Sequence, residues 1–80
     1  MEIKILGKGC PKCQRLETLA REVVEELGLD ATFTKVKDVH EITAYGVALT
    51  PALVIDEELK CAGRIPSRDE IAIWVREAAK

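Results

Sequence analysis

Glu2-Ile3-Lys4-Ile5-Leu6-Gly7-Lys8-Gly9-Cys10-Pro11-Lys12-Cys13 is the stretch on which the fold turns. Its first half, Glu2–Leu6, alternates like a strand, and Gly7 and Gly9 then break the pattern. From Pro11 the period changes. Leu16, Leu19, Ala20, Val23, Val24 and Leu27 recur at spacings of three and four, one apolar stripe along a helix. Pro11 suits the first helical turn, where a missing N–H costs nothing. Gly28 falls where a helix C-cap is expected. Glu17, Arg21, Glu22, Glu25 and Glu26 are expected to lie toward solvent. Two cysteines therefore stand where a strand passes into a helix.

Downstream, Ala31–Val36 is rich in β-branched and aromatic residues and predicts a second strand. Asp38 is placed to cap a short helix running to about Ala44, with Val39 and Ile42 turned inward. Ala52–Ile55 is a continuous apolar run, typical of a central buried strand. Asp56, Glu57 and Glu58 make a turn into a short fourth strand, Leu59–Ala62. Ser67, with Glu70 three residues later, forms a capping box for a last helix whose inner stripe is Ile71, Trp74, Val75 and Ala78. The expected class is α/β in the order βαβαββα, a four-stranded mixed sheet flanked by helices. Strands that alternate with helices favour parallel pairing, and the Ala52–Ala62 pair is expected to be an antiparallel hairpin.

Composition agrees with one small folded domain spanning residues 1–80. Of the 80 residues 48% are apolar and 32% charged, close to ordinary globular usage. A net charge of −2 gives no basic footprint for nucleic acid. No apolar run approaches the ~20 residues that span a bilayer, and Met1–Gly9 lacks a signal-peptide core. The three cysteines, Cys10, Cys13 and Cys61, are an odd number, which argues against a secreted disulfide scaffold. A cytoplasmic monomer is expected, with no membrane or nucleic-acid partner.

The junction is where chemistry is expected. A helix N-terminus presents unpaired N–H groups and the positive end of the dipole, and both favour a thiolate. Cys10 falls near the N-cap, with Lys8 and Lys12 close by, so its pKa should drop below the free value of ~8.5. Cys13, one turn on, can reach the Cys10 sulfur but is set further into the structure. Cys10 is thus the expected attacking thiol. It forms a mixed disulfide with a substrate, and Cys13 resolves it. A bridge between them closes too short a loop to add much stability.

Two cysteines at this spacing also supply half of a zinc or soft-metal site. The other donors, Cys61 and His40, match no common zinc spacing. A small metal carrier would end in a strand rather than in the helix Ser67–Ala79, and would leave Thr50-Pro51 without a role. No cofactor or metal is expected. Cys61, Trp74 and Phe33 read as core, His40 as surface, Tyr45 as the edge of the active site. Lys4 and the Glu57-Glu58 turn read as solvated.

The chain resembles the thioredoxin/glutaredoxin superfamily, and more closely its short bacterial and archaeal thioredoxin-like branch, the redox-active disulfide proteins. Three matches carry this along essentially the whole chain. They are Gly9-Cys10-Pro11-Lys12-Cys13 after the first strand, Tyr45 through Thr50-Pro51 to Ile55, and Gly63 before the capped last helix. The resemblance implies a cis bond before Pro51, facing Cys10 and Cys13. It also implies a peptide groove formed by Lys8–Cys10, Leu49–Pro51 and the turn at Gly63, so that Pro11, Lys12, Thr50, Pro51 and Gly63 contact substrate. The implied function is reduction of disulfides in target proteins, with electrons from a thioredoxin-reductase-type donor. Against the classical thioredoxin pattern, Gly9 stands where a tryptophan is usual and Pro11-Lys12 replaces Gly-Pro. The first strand has Lys4 and no carboxylate beneath Cys13. Against glutaredoxins, Lys12 replaces an aromatic residue and no Gly-Gly-x-Asp follows Cys61. Glutathione as sole reductant separates that alternative.

Overall fold

The computed structural model describes residues 1–9 and 11–79. Along the chain run β1 (Glu2–Leu6), α1 (Pro11–Glu26), β2 (Thr32–Val36), α2 (Val39–Ala44), β3 (Ala52–Ile55), β4 (Glu58–Ala62) and α3 (Arg68–Ala78). This is the expected order, with β2 starting one residue later and β4 one earlier than the sequence suggested. The strands form one sheet in the order β2-β1-β3-β4.

The pairings are mixed. β1 and β2 are parallel, with Leu6 opposite Val36. β3 runs antiparallel to β1, with Ala52 opposite Leu6, and β4 returns antiparallel to β3, with Ala62 opposite Ala52. The antiparallel β1–β3 pair departs from the rule that alternating strands and helices pair in parallel. The loop after α2 explains it. Tyr45, just after α2, reaches Lys4 of β1 and Glu57 of the hairpin turn, and the loop 46–51 then brings the chain back to the end where β2 stopped, so β3 starts there. The ends of β1, β2 and β4 and the start of β3 therefore share one end of the sheet.

Each sheet face has its own core. On one face, α1 and α3 cover Ile3, Ile5, Leu53 and Ile55 with Leu16, Val23, Ile71 and Val75. On the other, α2 and the following loop place Ile42 and Val47 over Leu6, Val36, Ala52 and Val54. Val39 is not turned inward as expected. It is 49% exposed, because it lines the wall of an open surface cleft with Val47 and Ala48.

The helix ends are closed as their residues suggest. At the end of α1, Gly28 adopts φ +67°, and the N–H groups of Gly28 and Leu29 donate to Glu25 O and Val24 O, both at 3.1 Å. At α3, Ser67 Oγ accepts from Glu70 N at 3.2 Å while the Glu70 carboxylate accepts from Ser67 N at 3.0 Å. The β3–β4 turn places both Asp56 (φ 48°) and Glu57 (φ 67°) in the left-handed region, the geometry of a two-residue hairpin loop.

Lys4 and Glu57, read as solvated, are engaged. Lys4 lies on the α2 face with its side chain 19% exposed. Its Nζ donates to Tyr45 Oη at 2.7 Å and to Glu57 Oε1 at 2.5 Å, and Tyr45 Oη donates to Glu57 Oε2 at 2.9 Å. The cluster ties β1, the end of α2 and the hairpin turn together. Among the described residues no helix is long and apolar enough to cross a membrane.

Candidate active site

The expected nucleophile, Cys10, lies outside the described residues. Cys13 stands in the first turn of α1 and is 5% exposed. Its sulfur rests against the Cα of Gly7. A Cβ on Gly7 would fall well inside the contact distance of Cys13 Sγ, and would sit 3.7 Å from Thr50 Cβ. The Gly7 N–H donates to Val36 O at 2.9 Å, so the backbone cannot recede. Gly7, which the sequence showed only as a break after β1, is thus what allows a thiol at position 13 to pack onto the sheet end beside Thr50.

The Thr50–Pro51 bond is cis. Pro51 is fully buried, while Thr50 before it is exposed. The Pro51 carbonyl accepts from Gly63 N at 2.9 Å, and Gly63 has φ +80°. The Leu49 side chain lies over Gly63, where a Cβ would approach Leu49 Cβ to 3.2 Å. Leu49 itself is 69% exposed. Pro11 and Lys12 are exposed at the start of α1. The sheet end therefore brings Thr50 to Gly7 and Cys13, and Gly63 to Pro51 and Leu49.

Two clefts open there, and Lys8 lines both. One, of about 220 Å³, is lined by Gly7, Cys13, Gln14, Glu17, Lys35 and Lys37. The other, of about 260 Å³, is lined by Val39, Ile42, Val47, Ala48 and Thr50. Glu17 corrects an expectation. It was read as facing solvent, yet its side chain is only 14% exposed, held 3.1 Å from Lys35 Nζ and 3.0 Å from an Arg21 nitrogen. Burial pushes its carboxyl up, but the hydrogen bonds from Lys35 and Arg21 outweigh this and leave it below the usual carboxylate range. The available signal was spacing: Glu17 is four residues after Cys13 and shares its helix face.

Cys61 is a core residue, as read. It is buried among the residues that α1 and α3 cover, and its Sγ donates to Arg64 O at 3.7 Å. Burial pushes its thiol up, Arg64 pulls it down and Glu70 adds to the rise. His40 is exposed on α2.

The thioredoxin domain family matches residues 1–76. The chain belongs to that family. A thioredoxin of Methanothermobacter thermautotrophicus is 49% identical over 71 residues, covering 89% of this chain and 92% of the relative. One of Methanocaldococcus jannaschii is 45% identical over 69 residues, covering 86% and 79%. Among solved structures, reduced Escherichia coli glutaredoxin aligns with a TM-score of 0.61 at 20% identity over 99% of this chain and 98% of that one. Thioredoxin 1 of Thermosipho africanus aligns with a TM-score of 0.56 at 17% identity over the full length of both. These two share the fold. The family and the archaeal relatives support a thiol–disulfide oxidoreductase.

Proposed function

We propose that the protein is a small dithiol reductant of protein disulfides, working through Cys10-Pro11-Lys12-Cys13. The observation that carries this reading is the seat of Cys13. A buried thiol is packed on Gly7 beside Thr50, one turn inside a helix whose N-terminal turn is open to solvent. The Cys10 thiolate attacks one sulfur of the target disulfide, and the other sulfur leaves as a thiolate that takes up a proton. The Cys13 thiolate, its proton passed to solvent, then attacks the Cys10 sulfur of the mixed disulfide. The second target sulfur leaves and is protonated. The target gains two electrons and two protons, and the protein closes its Cys10–Cys13 disulfide. A donor of the thioredoxin-reductase class reopens it in the cytoplasm.

The exposed strip Leu49–Thr50, held by the Pro51–Gly63 hydrogen bond, is the surface on which an extended target segment would lie. Pro11 and Lys12 flank it from α1. Insulin reduction tests the reading. With dithiothreitol as electron source, the wild type should speed precipitation of the insulin B chain over dithiothreitol alone, and Cys10→Ser and Cys13→Ser should each lose that gain. A wild type no faster than dithiothreitol alone contradicts it. Glutathione in place of dithiothreitol should support little turnover.

A further inference from the structure

The charges of this chain are segregated along the sheet. At the end away from Cys13, Glu2 N donates to Asp56 Oδ1, Glu57 holds Lys4, and Glu58 begins β4. Glu25 and Glu26 close α1 at that same end, where Arg68 is taken up by Glu22 and Glu26. At the Cys13 end, Lys8, Lys12, Lys35 and Lys37 are exposed. Lys35 is committed to Glu17. Among the described residues, Lys8 and Lys37 have no carboxylate partner. Asp38, the nearest acid in sequence, is occupied in capping α2 through His40 N at 2.7 Å. A molecule with a net charge of −2 thus presents a cationic rim around its thiol. The cationic cleft is separated by Lys8 from the apolar cleft of Val39, Val47 and Ala48.

We propose that the protein prefers disulfides set in acidic segments. Carboxylates on one side of the target cysteine lie over Lys8 and Lys37, and an apolar neighbour of that cysteine enters the cleft between Val39, Val47 and Ala48. This rests on the reductase reading above. Charge complementarity selects the occupant: a cationic rim in a narrow cleft raises the encounter rate of anionic partners and slows cationic ones.

Two peptides of equal length test this, each closed by one disulfide with leucine beside a cysteine, one flanked by Asp and Glu and the other by Lys and Arg. Pre-reduced protein is mixed with each, the reaction is stopped with acid, and the products are separated. Each rate is divided by that of dithiothreitol on the same peptide, which removes the peptide's own reactivity. The ratio of the two peptides also cancels changes in the protein's thiol, which matters because Lys8 stands two residues before Cys10 in the sequence. The acidic peptide should react about tenfold faster or more at about 0.01 M ionic strength, and the ratio should fall toward one at about 1 M. Lys8→Glu and Lys37→Glu should each lower the ratio and together invert it, while Lys60→Glu, on β4, should leave it unchanged. Leucine replaced by serine should slow both peptides. Equal rates at low salt, or a ratio indifferent to the Lys8 and Lys37 variants, overturn the preference and leave the reductase intact. If neither peptide is reduced above the protein-free background, the reductase reading itself fails.

Discussion

Gly7 is buried, its N–H is fixed to Val36 O at 2.9 Å, and its Cα faces the Cys13 sulfur. An added methyl group there must push Cys13 or the start of α1 away. Overpacking of this kind costs about 1–3 kcal/mol, so Gly7→Ala should lower the urea midpoint correspondingly. The same variant should slow closure of the Cys10–Cys13 bridge. In a Cys13→Ala background the atom that clashes most is gone, and Gly7→Ala should cost less, a positive coupling readable from a double-mutant cycle. An equal cost in both backgrounds would mean that the thiol does not rest on Gly7. Cys13 itself was legible in the sequence. It continues the stripe of Leu16, Ala20 and Val23 by one turn, so its burial follows from helical period. The role of Gly7 was not, because a glycine's contacts belong to its neighbours. Glu17 and Lys4 also escaped a pattern reading. Charged residues count there as solvent-facing, whereas each is covered by partners from distant strands and loops.

Elements were the most legible level, because each carries its own period and its own end signals. Gly28 and the Ser67/Glu70 pair closed their helices as read, and the bounds of β2 and β4 moved by one residue. The direction of β3 escapes a pattern reading because it depends on where the loop 46–51 returns the chain, which no local period encodes. The capping box gives a direct check on α3. Ser67→Ala removes the acceptor for Glu70 N and should cost about 1 kcal/mol. Glu70 adds a pH dependence. Its hydrogen bonds with Arg64 Nη1 and Nη2, and then that with Ser67 N, hold its carboxyl at about 2 in the folded protein, below an unfolded value of ~4.3. Unfolded chains therefore bind this proton first as pH falls. The stabilisation is complete above about pH 4.3 and is lost as pH drops toward about 2. Between those values the urea midpoint of the wild type should fall more steeply than that of Glu70→Gln. Parallel slopes would remove Glu70 from the acid transition.

Across the whole molecule, the strand directions gather chemistry at one end. β1 and β2 stop there, β3 starts there with the cis Thr50–Pro51 bond before it, and β4 ends there just before Gly63. That gathering was foreseen only through the family resemblance, since no local pattern in the sequence relates residue 50 to residue 13. The contact network now does so, through Gly7. The charge segregation was likewise hidden in a net charge near zero. The roles proposed for the two thiols rest on position: Cys10 comes immediately before α1 in the sequence, and Cys13 is recessed on the sheet end. The most direct test is capture. Cys13→Ser and Cys10→Ser are each mixed with an oxidised, disulfide-containing target, quenched with acid and weighed by mass spectrometry. Cys13→Ser should accumulate as a one-to-one mixed disulfide through Cys10 that dithiothreitol releases, Cys10→Ser should capture almost nothing, and Cys61→Ser in either background should change neither result. Capture by Cys10→Ser with none by Cys13→Ser would reverse the roles, and capture by neither would contradict the dithiol mechanism.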